Sequence, residues 1–258
     1  MNKLQRNMKK VVPGVLITLL AMFLLGIVLT VLVRASHSNS TSEAAPLSTT
    51  EKPARWTNPC NATRDLSSRN FTVPFLPEFE KIQRISEKLL TVMDITVTLK
   101  TKIANERVQS SIMTSALNSQ HIDGFPNTTL SQHNMEEYKD NVTLAYIRSY
   151  RDLSVVAVFL EAVREDEDQY EYGSWTPEIK DKENRLYGLL CELHNAIITN
   201  GAVIEYESRD IMPQEWRGMS NRSYRNYRDY VIMKDSGLVY QSFFNMYQTI
   251  LNSFKVGV

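Results

Sequence analysis

Mainly apolar side chains recur every three or four positions in four long stretches of the chain. This is the spacing of one face of an α-helix. The first stretch covers about residues 76–107. A strand alternates with period two and would not sustain such a pattern for so long. The stripe that predicts the first helix consists of Ile82, Ile85, Leu89, Val92, Thr96, Leu99 and Ile103.

A second stretch covers about residues 135–165 and is followed by an acidic run, EDED, at residues 165–168. Acidic side chains at a helix C-terminus oppose the helix macrodipole. We therefore expect the run to lie just beyond the second helix, in solvent. The stripe of this helix consists of Ser149, Leu153, Val156, Leu160 and Val163.

The third helix carries its own start and stop signals in WTPEIKDKENRLYGLLCELHNAIITNG, residues 175–201. Thr176 is the expected N-cap, Pro177 suits the first helical position, and Asn200-Gly201 favours a left-handed stop. A fourth helix is predicted from Tyr227 or from Ser236 to Phe254. Its start stays open because glycine at position 237 is unfavourable inside a helix. The stripes of these two helices are Ile179, Leu186, Leu190, Leu193 and Ile197, and then Tyr240, Phe244, Tyr247, Leu251 and Phe254.

The lengths of the connections indicate how the four helices are arranged. The first link has about 27 residues, the second about ten and the third about 25, and an up-down-up-down bundle needs no such long links. A long link can span a bundle, so that successive helices run parallel. The sequence therefore predicts an all-α four-helix bundle with up-up-down-down topology and two long crossover links.

The N-terminal part contains an uncharged apolar run, residues 11–33, which is long enough to cross a bilayer as a helix. More positive charge precedes the run than follows it, so residues 1–10 are predicted to be cytoplasmic and the remainder extracellular or lumenal. The run is either a retained type II signal-anchor or a signal sequence cleaved after Ala35. The basic residues that precede it are Lys3, Arg6, Lys9 and Lys10.

Residues 34–59 are rich in Ser, Thr and Pro and lack the apolar side chains that would offset the entropy of ordering. They are predicted to form a stalk that leads to a helical ectodomain, residues 60–258. Six N-glycosylation motifs lie on the exported side of the apolar run, as expected for a glycoprotein of the secretory pathway. Their acceptors are Asn39, Asn61, Asn70, Asn127, Asn141 and Asn221.

Two cysteines, Cys60 and Cys191, are present in the chain. In an oxidising compartment two cysteines favour a disulfide, and an intramolecular pair would join the start of the ectodomain to the third helix. Two free thiols or an intermolecular bridge remain alternatives.

Composition and motifs argue against several functions. The formal net charge is zero, so we expect no nucleic-acid partner. Phosphate-binding glycine loops and the nucleophile elbow are missing from the sequence. No pair of histidines has the spacing of a metal site. We therefore expect neither catalysis, nor a cofactor, nor a metal.

One surface candidate lies in EWRGMSNRSYRNYRDY, residues 215–230, where arginines interleave with aromatic residues. Arginine, tyrosine and tryptophan are the types that interface hot spots favour. The competing interpretation is a solvated connection that packs a few tyrosines on the bundle. The residues predicted to bind a receptor are Trp216, Arg217, Arg222, Tyr224, Arg225, Tyr227 and Arg228.

The segment IRSYRDLSVVAVFLEAVREDEDQYEYGSWTPEIKDKENRLYGLLCELHNAI, residues 147–197, resembles helices B and C of the long-chain four-helix cytokines, in particular the interleukin-6/ciliary neurotrophic factor branch. Residues 237–254, GLVYQSFFNMYQTILNSF, are similar to helix D of that branch. Invertebrate Unpaired-type ligands belong to the same structural class. The resemblance implies an extracellular ligand that dimerises class I cytokine receptors and activates their associated tyrosine kinases.

A retained anchor and a single cysteine pair depart from the usual pattern of those secreted cytokines. The alternative function is a type II membrane glycoprotein, adhesive, structural or viral, that acts by helical self-association.

Overall fold

The computed structural model describes residues 53–62 and 76–256. Within these ranges all regular structure is helical, which confirms the predicted all-α class. Short 3-10 turns and a four-residue helical turn, Pro59–Ala62, accompany the longer helices. Those helices are α1 (Glu78–Ile103), α2 (Ser111–Asn118), α3 (Gln132–Asp140), α4 (Val142–Tyr170), α5 (Thr176–Thr199) and α6 (Arg222–Val256).

The predicted membrane segment, residues 11–33, and the predicted tail, residues 1–10, lie outside the described ranges. Among the helices of residues 53–62 and 76–256, none combines the length and the apolar character needed to cross a bilayer.

The predicted apolar stripes form the core. Every stripe position named above for α1, α4 and α5 is buried. In α6, Tyr240, Tyr247 and Leu251 are buried, but Phe254 is 41% exposed and contacts the edge of Phe79 at the start of α1. The period of the pattern therefore identified the buried face of three helices fully and that of the fourth in part.

The second predicted helix is divided at Asn141, whose backbone (φ −137°, ψ 86°) separates α3 from α4. Its end also differs from the expectation, because the acidic run lies inside α4 and Asp166 and Glu167 are buried. Arg228 lies 2.6 Å from Asp166, and Arg107 lies 2.6 Å from Glu167. The positive charges of these arginines offset the repulsion between the two carboxylates and the negative C-terminal end of the helix dipole.

The caps of α5 are close to those predicted. Thr176 is the first helical residue, and Trp175 occupies the N-cap position. The Thr176 hydroxyl donates to Asp168 rather than to its own helix. At the other end Asn200 is the C-cap, and Gly201 adopts the left-handed φ of 71° that the stop requires.

Side-chain contacts at the two ends of the bundle give the direction of each long helix. Tyr146 near the start of α4 donates to Glu78 at the start of α1, and Arg107 just after α1 contacts Glu167 near the end of α4. These two helices therefore run parallel.

The other two long helices run the opposite way. Lys81 near the start of α1 donates to Asn200 at the end of α5, whereas Lys102 near the end of α1 contacts Glu178 at the start of α5. The contact of Phe79 with Phe254 places the end of α6 beside the start of α1. Hence α5 and α6 are antiparallel to α1 and α4.

Each long link lies along the outer side of one helix. The first link contacts α6, where Tyr230 donates to Asn118 and Ser242 donates to the Thr128 carbonyl. The second of these two long links, residues 200–221 and called the second link from here on, contacts α4, where Ser154 accepts the Glu207 backbone N–H. Both links are thus part of the packed structure.

The segment before Cys60 is also packed, although the sequence analysis assigns residues 34–59 to a stalk. Trp56 is 1% exposed, and its Nε1 donates to the Glu207 carbonyl at 2.9 Å. The Tyr150 hydroxyl donates to the Trp56 carbonyl at 2.6 Å. The folded domain therefore begins by residue 54, which is earlier than predicted, because a single tryptophan anchors a segment of polar composition.

Candidate functional site

The structure separates the predicted stripe, residues 215–230, into two groups. The arginines Arg225 and Arg228 are 4% and 1% exposed, whereas Tyr224 is 59% exposed and Trp216 and Tyr227 are half-buried. The sequence analysis expected one surface of mixed basic and aromatic character. The observed surface is aromatic, and most of the basic groups lie beneath it.

Arg228 joins α6, α4 and the second link. Its guanidinium lies 2.6 Å from Asp166 and 2.6 Å from Asp229, and it donates to the Trp216 carbonyl at 2.8 Å. Burial alone would lower the pKa of Arg228, but the two carboxylates raise it above its ordinary value. Burial raises the pKa of Asp229, and Arg228 offsets part of that rise. Arg228 therefore holds Trp216 in place and is not itself available to a partner.

The other arginines of the stripe have similar roles. Arg225 donates to the carbonyls of Met219 and Ser220, each at 2.8 Å, and pairs with Glu171. Arg217 donates to a backbone carbonyl of the second link at 2.7 Å. Arg222 also pairs with Glu171, but its side chain is 70% exposed. Of the four arginines, Arg222 is the one that presents most of its charge to solvent.

The aromatic residues line a groove beside α6. Its upper section has a volume of about 530 Å³ and lies between α2, residues 214–219 and the first turns of α6. Four of the seven residues predicted to bind a receptor are among its lining residues. The wall comprises Met113, Leu117, Gln120, His121, Ile122, Glu215, Trp216, Met219, Tyr224, Tyr227, Arg228 and Val231.

The groove continues along α6 in two further sections. The middle section, about 350 Å³, shares His121 and Ile122 with the upper one, and the lower section, about 450 Å³, shares Thr128 and Leu238 with the middle one. The first link forms the opposite wall of both. We call the three sections together the α6 groove.

The side chains of three glycosylation acceptors, Asn127, Asn141 and Asn221, are exposed. Asn127 lines the middle section of the α6 groove. Asn221 does not line the upper section, and its Oδ1 accepts the Tyr224 N–H at 3.2 Å, as an N-cap does. Asn61 lies in the turn Pro59–Ala62, while Asn39 and Asn70 fall outside the described residues.

Cys60 and Cys191 form the disulfide that the sequence favours, with Cα atoms 4.8 Å apart. The bond attaches the segment that carries Trp56 to the face of α5. Since these are the chain's two cysteines, the structure leaves no thiol for nucleophilic or metal chemistry. No group of three His, Cys, Asp or Glu side chains suited to a metal occurs within residues 53–62 and 76–256.

Sequence reasoning also missed Lys182, which is fully buried between α1, α5 and α6. Its Nζ donates to the Thr96 hydroxyl and lies 5.1 Å from the centre of the Tyr240 ring. Burial lowers the pKa of Lys182 well below its ordinary value, and no ion pair to it is found in the described part of the chain. Its place in the α5 stripe, three residues after Ile179 and four before Leu186, was the available signal.

Comparison with known proteins gives no relative: no protein-family model, no curated protein and no solved structure matches this chain.

Proposed function

We propose that this protein is an extracellular signalling ligand of the helical cytokine class that binds a cell-surface class I cytokine receptor and triggers kinase signalling. The observation that carries the proposal is the direction of the helices: α1 and α4 run one way, α5 and α6 run the other, and a long link precedes α4 and another precedes α6. Up-up-down-down bundles with two long crossovers are the cytokine form of helix bundle.

The proposal includes export. Residues 11–33 would serve as a signal-anchor or a cleaved signal sequence, and the protein would be a type II plasma-membrane protein or a secreted one. The Cys60–Cys191 disulfide fits an oxidising compartment, and the exposed acceptors Asn127, Asn141 and Asn221 fit lumenal glycosylation.

The upper section of the α6 groove is the proposed receptor contact. Trp216, Tyr224 and Tyr227 provide aromatic side chains around an apolar depression, and partly exposed aromatic residues in such depressions are typical binding hot spots. Arg225 and Arg228 contribute indirectly, because they hold the backbone of the second link that carries Trp216. The contact is therefore a small aromatic patch on a rigid support.

The full chain, expressed in animal cells, tests the proposal. We expect it at the cell surface or in the medium, and we expect it to bind cells that carry class I cytokine receptors and to induce tyrosine phosphorylation in them. A chain that is exported and glycosylated but binds none of a broad panel of such cells would contradict the proposal.

Self-association as a membrane glycoprotein is the second candidate. Leu90 and Val97 lie one heptad apart on α1 and are 48% and 54% exposed, which suits a helix-to-helix contact. Sedimentation of the purified protein separates the two functions: stable oligomers without any signalling favour self-association, whereas a monomer that signals favours the cytokine.

A further inference from the structure

We propose that an N-linked glycan on Asn127 covers the middle and lower sections of the α6 groove and confines protein partners to the upper section. This inference rests on the proposed function in one respect, because the glycan is added only to a chain that enters the secretory pathway. It goes further in that it assigns different occupants to different parts of one surface.

The position of Asn127 is the first step. Its side chain is exposed and lines the middle section. Its Oδ1 accepts the Thr129 N–H at 2.9 Å, and its carbonyl accepts from Arg148, so both oxygens help to fix the wall. Within the described ranges no group accepts a hydrogen bond from Nδ2. The nitrogen that carries a glycan is therefore free, and the rest of the residue is held.

The chemistry follows from the Asn127-Thr128-Thr129 motif. The amide nitrogen attacks the anomeric carbon of an oligosaccharide carried on a lipid pyrophosphate. The bond from nitrogen to carbon forms, the bond from the anomeric carbon to the pyrophosphate oxygen breaks, and one amide proton leaves as the lipid pyrophosphate is released. No other reactant is needed.

The lining of the groove changes character along α6. The upper section is mainly apolar and aromatic, as a protein contact requires. The lower section combines apolar side chains with Gln241, Asn245 and Thr249, which are exposed, four residues apart and able to hydrogen-bond. Side chains of this kind exchange hydrogen bonds with sugar hydroxyls directly or through water. The middle section and the row of polar side chains in the lower section thus suit a carbohydrate, and the apolar upper section suits a protein.

The short distance that a glycan on Asn127 has to extend along the groove supports the same assignment. Leu238, 46% exposed, lies where the middle and lower sections meet, and both sections also contain Thr128, the neighbour of Asn127. From Leu238 to Thr249 the helix rises only about 16 Å. A glycan that starts at Asn127 therefore has to extend by only a few sugars to cover Leu238 and the polar residues below it.

A thiol reporter tests the proposal in the full chain, since both native cysteines are bonded to each other. The Leu238→Cys variant is labelled on cells, or in the medium if it is secreted, with a small maleimide and with a bulky polymer-linked maleimide. The glycan is removed by Thr129→Ala, which keeps Asn127 and the backbone N–H that it accepts. The matched control, Ser223→Ala, removes the motif at Asn221 and keeps that N-cap. A Val97→Cys reporter on α1 provides an exposed site away from the groove.

We expect Thr129→Ala to raise bulky labelling of the Leu238→Cys reporter severalfold, while small-reagent labelling and the Val97→Cys reporter stay unchanged. Ser223→Ala should have no effect on either reporter. Equal bulky labelling with and without the Asn127 glycan would overturn the proposal, and so would a bare Asn127 in a chain glycosylated at Asn141 or Asn221. If no motif carries a glycan, this inference falls, and the proposed function falls with it only if the chain also reaches neither the cell surface nor the medium.

Discussion

Replacement of Arg228 by methionine tests whether this arginine supports the fold. The Arg228 side chain is fully buried and lies 2.6 Å from each of Asp166 and Asp229, which are 5% and 3% exposed. Arg228→Met leaves both carboxylates inside the protein without the ion-pair partner that lies 2.6 Å from each. Removing one partner of a buried ion pair costs about 3–5 kcal/mol. The Trp216 carbonyl loses its donor as well, so we expect the upper part of this range.

That loss corresponds to a fall in Tm of about 6–20 °C for a domain of this size. Its pH dependence has a definite sign. Burial already raises the pKa of Asp229, and removing Arg228 raises it further, so the folded variant binds a proton more readily than the unfolded chain. The variant is therefore least stable at neutral pH, and the difference from the wild type shrinks as the pH falls. Thermal unfolding followed by circular dichroism at neutral and at mildly acidic pH measures both effects.

Arg222→Met is the matched control, because Arg222 also pairs with a carboxylate, that of Glu171, but is 70% exposed. An exposed pair contributes at most about 1 kcal/mol. Similar Tm values for the Arg228 variant and the Arg222 variant would refute the reasoning. If the Arg228 variant kept its stability but lost receptor binding, Arg228 would instead be a direct receptor contact.

Three further substitutions test the core and the disulfide by urea or thermal unfolding. Lys182→Met should stabilise the protein by about 1 kcal/mol or more, because it removes a buried amine without a counter-charge. Burial lowers the pKa of Lys182, so wild-type stability should rise with pH toward the pKa of an unfolded lysine, and the variant should lack that slope; equal slopes would contradict this. Tyr240→Phe should be neutral or stabilising by about 1 kcal/mol, since the buried hydroxyl has no partner among the described residues, and a clear loss would show a missed hydrogen bond. The double substitution Cys60→Ser and Cys191→Ser removes a disulfide between residues 131 apart in sequence and should lower the free energy of unfolding by about 4–5 kcal/mol. A loss below about 1 kcal/mol would show that Trp56 alone holds the segment.

The parts of the fold that could be predicted are the helices whose buried residues recur at one regular spacing. Ile82, Leu89 and Leu99 occupy one face of α1 and are all buried, because a helix on the surface of a core must place its apolar residues there. The stop signal of α5 depends on local backbone chemistry and was predicted correctly, whereas Thr176, the expected N-cap, is the first helical residue. The link lengths predicted the directions of successive helices, because a link can cross a bundle only if it has enough residues.

The parts that could not be predicted depend on long-range pairing. Asp166 and Glu167 read as solvated because the sequence does not show that Arg228 and Arg107 reach them from elements 62 and 60 residues away. Trp56 likewise lies in a segment of disordered composition, and its partner Glu207 is 151 residues away.

The sequence showed which residue types lie in the candidate segment, but not which of their side chains are buried. Tyr224 and Trp216 line the groove, whereas Arg225 and Arg228 are buried. The predicted start of the fourth helix, at Tyr227 or Ser236, obscured this. Because α6 begins at Arg222, Arg225 and Arg228 lie three residues apart on its buried side.

Receptor binding by the wild-type chain and by Tyr224→Ala tests the central claim most directly. Tyr206→Ala is the control, since Tyr206 is a comparably exposed tyrosine, 51% against 59%, that does not line the upper section of the α6 groove. We predict that the wild type and the Tyr206 variant bind receptor-bearing cells equally. The Tyr224 variant should bind about 30-fold more weakly, which is the loss of about 2 kcal/mol expected for a hot spot, with unchanged Tm. Equal binding by all three proteins, or binding by none, would contradict the claim that this surface belongs to a cytokine-like ligand.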